Sequence, residues 1–173
     1  SSLGVNVYAP MELVRESLWE HNIGFFMAPR HHEAMKHVAP TRTELGTRTI
    51  FNLLGPLSNP ANTKRQLVGV FDQKWCRPLA EVFGKLGAKH VWVVHGMDGM
   101  DELTISGPSY VSCYNNGEIT DFEVRPEDAN LKSQDIKQLR GGDPLTNSKA
   151  ILSLLDGKKS AYQDVVVLNT AAT

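Results

Sequence analysis

The sequence predicts an α/β fold with a mixed, largely parallel sheet flanked by helices, and three observations point to it. The run "RQLVGVF" reads as a strand, "CRPLAEVFGKLG" as an amphipathic helix closed by Gly87, and "HVWVV" as a second strand. Strand, helix and strand at this length make a βαβ unit, whose two strands run parallel. Further on, "SYVSCYNNGEITDFEV" alternates around Asn116-Gly117, the strongest short hairpin signal, so antiparallel strands join the same sheet. With 173 residues, 41% of them hydrophobic, one α/β domain spanning residues 1–173 is expected.

The remaining elements follow in order. Pro10 suits the first turn of a helix, and Leu13 and Leu18 give it a partly apolar face through about His21. "IGFFMA" is expected to be a short buried strand. Beyond Pro29, "RHHEAMKHVAPTRTELG" places Met35, Val38 and Leu45 on one helical face, with Gly46 as the stop and Pro40 bending or dividing the helix. "TRTIFNLLGPLSNP" reads as a short buried helix ended by Gly55-Pro56. "SKAILSLLDG" reads as a helix capped by Asn147 or Ser148, and "DVVVLNTAA" fits either a strand or a buried helix.

Composition excludes several classes. The charges nearly cancel, 18 basic against 19 acidic side chains, so no broad positive field exists to hold nucleic acid or an anionic membrane. The two cysteines, Cys76 and Cys113, have neither metal spacing nor the density of a disulfide-stapled domain, which fits a reducing, cytoplasmic setting. No apolar run approaches the roughly 20 residues that cross a bilayer. The first residue is not methionine and the last segment, "VVVLNTAAT", stops inside what reads as the start of a helix, so a piece of a longer protein is expected.

One loop invites chemistry. "HGMDGMDE" follows the strand "HVWVV", and ligands of open α/β sheets bind outside the carboxyl ends of parallel strands. Adjacent carboxylates there, Asp101 and Glu102, suit Mg²⁺, a hard cation that often takes one or two carboxylates plus substrate phosphates. A solvated glycine-rich turn is the plainer reading of the same residues. The pattern of an EF-hand is absent. In "HEAMKH", His32 and His37 are separated by five positions, about 500° around a helix, so they do not share a face as a zinc pair would. Arg42 and Arg48 suit either a solvated helix face or recognition of a carboxylate or phosphate through the planar guanidinium. Gly55 reads as a helix end or as bare backbone against which a flat ligand can lie.

The stretch "MKHVAPTRTELGTRTIFNLLGPLSNPA", followed by "VVHGMDGMDE", "LRGGD" and "VVVLNTAA", resembles the anthranilate phosphoribosyltransferase family over essentially the whole chain. The resemblance implies the large domain of that enzyme, of the same general fold as the nucleoside phosphorylases. It implies transfer of the phosphoribosyl group of phosphoribosyl pyrophosphate to anthranilate, with release of pyrophosphate, in tryptophan synthesis. It also implies Mg²⁺ as cofactor and a homodimer, while the composition argues for a cytoplasmic protein with no nucleic-acid or membrane partner. By the same carry-over Asp101 and Glu102 hold the metal, Arg42 and Gly55 contact anthranilate, and His32 and Pro56 line its pocket. No catalytic base is assigned. The family's N-terminal helical domain and glycine-rich pyrophosphate loop precede the region matched here, and "GGD" at 141–143 is not that loop. The chain alone is accordingly expected to be inactive. Two other readings stand beside this one, a nucleoside phosphorylase-like enzyme and a non-catalytic relative that binds nucleic acid.

Overall fold

The structure, a computed structural model, describes residues 2–27, 38–47, 49–59 and 61–173, with only the backbone described at Ala39 and Arg42. The chain divides into two compact units, Ser1–Ala61 and Asn62–Thr173.

In the first unit, helix α1 (Met11–His21) starts after Pro10, as expected, and ends at Asn22 in the left-handed conformation. "IGFFMA" does not form the expected buried strand. Over residues 23–27 the backbone is irregular, Ile23 and Phe25 are exposed, and the Ile23 carbonyl accepts from the Ser17 hydroxyl of α1 at 2.7 Å. A short apolar run becomes a strand only when a neighbour completes its ladder, and no strand among the described residues pairs with 23–27. Helix α2 (Ala39–Leu45) ends before Gly46, whose φ of +58° makes it the predicted stop. Pro40 stands in its first turn, where a missing N–H breaks no bond of this helix. The expectation for residues 28–37 lies outside the described residues. Helix α3 (Phe51–Leu57) contains Gly55 and Pro56 rather than ending at them. Pro56 sits in the last turn, and Ser58 closes the end by donating its N–H to Gly55 and its hydroxyl to Leu54.

The second unit carries the sheet. Strands β1 (Arg65–Gly69), β2 (His90–Gly96), β3 (Ser109–Asn115) and β4 (Glu118–Val124) lie in the order β1-β2-β3-β4. The βαβ prediction holds: β1 and β2 are parallel, joined through helix α4 (Cys76–Lys85), which packs against β2 and β3. The hairpin holds too, with Asn116 and Gly117 at positive φ between antiparallel β3 and β4. The sheet is mixed, as predicted, but it is not largely parallel among the described strands: β2–β3 and β3–β4 are both antiparallel. One crossover helix yields one parallel pair, and a two-residue turn permits only an antiparallel partner.

Both sheet faces are covered. On one, Trp92, Val94, Val111, Cys113 and Phe122 pack with Ala161, Val165 and Leu168 of the last helix, α6 (Ala161–Ala171). The ring centroids of Trp92 and Phe122 lie 5.2 Å apart, edge to face. The alternate residues Val91 and Val93 are fully buried as well, which two covered faces require. "DVVVLNTAA" is therefore helix, started by Ser160, whose hydroxyl accepts from Gln163 N–H. Helix α5 (Pro144–Leu155) begins four residues before "SKAILSLLDG", and its cap is Asp143, not Asn147 or Ser148. Asp143 accepts from Thr146 N–H at 2.7 Å with Pro144 behind it, while Asn147 bonds the backbone of Gly142 in both directions.

Candidate active site

The carboxyl ends of β1 and β2 lie side by side, Gly69 opposite Val94, and the loop leaving β2 folds back over them. A tight turn begins it: Gly99 N–H donates to the Gly96 carbonyl and Gly96 N–H to the Met100 carbonyl, both at 2.8 Å, with Gly99 at φ +97°. Asp98 organises this turn. Its carboxylate accepts from the Thr104 and Ser106 hydroxyls, each at 2.5 Å, and from Met100 N–H at 3.1 Å. Burial opposes its ionisation, but the hydrogen bonds from Ser106 and Thr104 outweigh it and hold the carboxyl below the usual range.

Asp101 and Glu102 stand next along this loop, exposed, on the wall of a cleft of about 360 Å³. The other walls are Leu67 and Gly69 of β1, Val94 of β2, and Val166, Asn169 and Thr170 of α6. Two anchors fix the pair. On one side the Asp101 carbonyl lies so close to Gly69 that any Cβ at that position would fall 1.5 Å from its oxygen. On the other, Leu103 is 1% exposed in the core, and Asn169 bonds both its N–H and its carbonyl at 2.9 Å. Partial burial and the neighbouring Asp101 charge push the Glu102 carboxyl up.

Two adjacent carboxylates of which one is held reluctantly in its ionised form are a donor set that a hard dication relieves. No group of three or more His, Cys, Asp or Glu side chains converges on a metal position among the described residues. Two carboxylates alone suit an octahedral ion that takes its remaining ligands from outside the protein. His95, at the end of β2, donates from Nδ1 to the Val70 carbonyl at 2.8 Å, tying the two strand ends together.

The other predicted residues fall in the first unit. Gly55 and Pro56 are half-buried in the last turn of α3, and a Cβ on Gly55 would meet nothing within 4 Å. Arg42 lies on α2, and His32 lies outside the described residues. Sequence reasoning passed over Gly69 and Asn169. An isolated glycine inside a strand pattern was the signal for the first, since it marks close backbone approach. A lone asparagine in an apolar helix was the signal for the second.

The family profile described as glycosyl transferase family, a/b domain, matches residues 1–173. The chain belongs to this family. Within the glycosyl transferase family it is 59% identical over 172 residues to the anthranilate phosphoribosyltransferase of Paramagnetospirillum magneticum, covering 99% of this chain and 50% of that protein. It is 54% identical to the enzyme of the same name from Rhodospirillum rubrum, with the same coverage. The chain thus spans about half the length of the curated relatives it matches. Among solved structures, the anthranilate phosphoribosyltransferase of Thermus thermophilus superposes with a TM-score of 0.88 at 42% identity, over 99% of this chain and 50% of that one. The Saccharomyces cerevisiae enzyme in complex with PRPP and Mg superposes with a TM-score of 0.89 over 98% of this chain and 50% of that one, and at 24% identity it shows the shared fold alone. As in the sequence, no helix among the described residues is long and apolar enough to cross a membrane.

Proposed function

We propose that the protein carrying this chain is an anthranilate phosphoribosyltransferase, and that the chain supplies the metal-carboxylate half of its donor site. The observation that carries the proposal is the cleft at the carboxyl ends of β1 and β2, walled by Asp101 and Glu102 on a doubly anchored loop. The 59% identity to a relative of that name supports the choice of reaction. In this reaction the bond from C1 of the ribose to pyrophosphate breaks, the anthranilate nitrogen bonds to C1, and the nitrogen loses a proton. Asp101 and Glu102 would hold Mg²⁺, which when bound neutralises the charge gathering on the leaving pyrophosphate. The anchored backbone keeps both carboxylates in place before substrate arrives, so little reorganisation opposes the reaction.

Arg42 would orient the anthranilate carboxylate through its guanidinium, with Gly55 offering a flat surface and His32 and Pro56 lining the pocket. An aromatic amine needs positioning more than a strong base, so no residue is assigned as one. The homodimer and the cytoplasmic setting belong to the same reading; Cys76 and Cys113, both buried and unbridged, are in keeping with a reducing compartment. The full-length gene product, given phosphoribosyl pyrophosphate, anthranilate and Mg²⁺, is expected to form N-(5-phosphoribosyl)anthranilate, detected by mass. Absence of that product from folded protein would refute the proposal.

A further inference from the structure

We infer that Asn169 is a positioning residue for the acidic pair, acting through Leu103; the inference rests on the reading of Asp101 and Glu102 as the metal site. Asn169 sits on α6, 66 positions from Leu103 in sequence, yet its amide makes a two-way bond to that residue's backbone, Oδ1 accepting from N–H and Nδ2 donating to the carbonyl. The second Nδ2 hydrogen goes to the Val165 carbonyl one turn back at 2.9 Å, which fixes the side chain on its own helix. Both amide hydrogens are therefore used within the protein. Asn169 lines the cleft, but both its donors are taken and its Oδ1 is engaged by Leu103 N–H, so it acts on the site through the Leu103 backbone.

The arrangement is specific to asparagine. It is a weak helix former, and a leucine or alanine at this place in α6 would suit the helix better. What asparagine adds is one acceptor and two donors in a plane, matching a peptide's N–H and carbonyl, on a side chain one methylene shorter than glutamine's. Glu102 is bonded directly to Leu103, and Asp101 is held from the other side by its contact with Gly69. The pair thus spans two fixed points, one on β1 and one on α6, and freeing either lets the carboxylates drift. Drift of about 1 Å is enough to spoil an octahedral site.

The test is Asn169→Ala in the full-length gene product, with three measurements. Hydrogen exchange at Leu103 in metal-free protein is expected to quicken at least 10-fold. Calorimetric affinity for phosphoribosyl pyrophosphate with Mg²⁺ is expected to fall at least 10-fold, while KM for anthranilate stays within about twofold. If Asn169→Ala does not fold, Asn169→Asp keeps the acceptor and loses both donors. Its added negative charge favours a cation, so weaker metal-dependent binding in that variant reports position rather than charge. Unchanged metal-dependent affinity in either folded variant, with Asp101→Asn still abolishing it, would overturn the inference alone. Unchanged affinity in both Asn169→Ala and Asp101→Asn would overturn the metal-site reading as well.

Discussion

At the scale of single residues, the acidic loop combines two carboxylates with opposite tendencies. Asp98 is held ionised by its donors, so its stabilising contribution is present above the ordinary aspartate pKa and is lost as pH falls through its lowered value. Asp98→Ala removes the shared acceptor of the Thr104 and Ser106 hydroxyls and is expected to cost about 1–2 kcal/mol at pH 7, measured by urea unfolding. Glu102 has the reverse sign. Its raised pKa means that the ionised form works against folding, a penalty present above the raised value and gone below the ordinary glutamate range. Glu102→Gln should therefore leave Tm at pH 7 equal or higher, with the difference closing as pH falls toward about 4. A lower Tm at pH 7 would contradict this account. The gain would come with loss of metal-dependent binding, as expected of a site kept for function rather than stability. Gly55→Ala is expected to change stability by no more than about 1 kcal/mol, since a Cβ there meets nothing, while raising KM for anthranilate.

At the scale of elements, the site depends on β1 and α6 meeting the loop. Gly69→Ala would drive a methyl into the Asp101 carbonyl and is expected to destabilise by roughly 1–3 kcal/mol, read from a urea midpoint, with loss of metal-dependent binding. Much of this level was legible in advance. The βαβ unit, the Asn116-Gly117 hairpin and α1 were readable because their signals are local: periodicity, a turn dipeptide, a proline at a helix start. "IGFFMA" was misread because five or six apolar residues do not say whether a partner strand is present. The start of α5 was readable and missed, since Asp143-Pro144 is a cap followed by an N1 proline. The placement of Asp101 and Glu102 beyond a parallel strand followed from the βαβ pattern. The Asn169–Leu103 bond did not, because contacts 66 positions apart leave no periodic trace.

At the scale of the whole molecule, the sheet, its two covering helices and the acidic cleft all belong to residues 62–173. That segment expressed alone is expected to unfold in one cooperative thermal transition, followed by circular dichroism; a broad, featureless melt would refute its independence. The first unit is built differently. Val14 and Leu53 are its buried apolar side chains among the described residues, while Leu13, Trp19, Ile23, Phe25 and Ile50 are exposed, Trp19 by 82%. Faster amide exchange is expected there than in β2 and β3. The acidic pair is proposed to bind a diphosphate through a divalent ion. Calorimetric titration of phosphoribosyl pyrophosphate into the full-length gene product with and without Mg²⁺, repeated for Asp101→Asn, tests this. Binding is expected to require the metal and to weaken at least 10-fold in the variant. Binding that is indifferent to both metal and variant would contradict it.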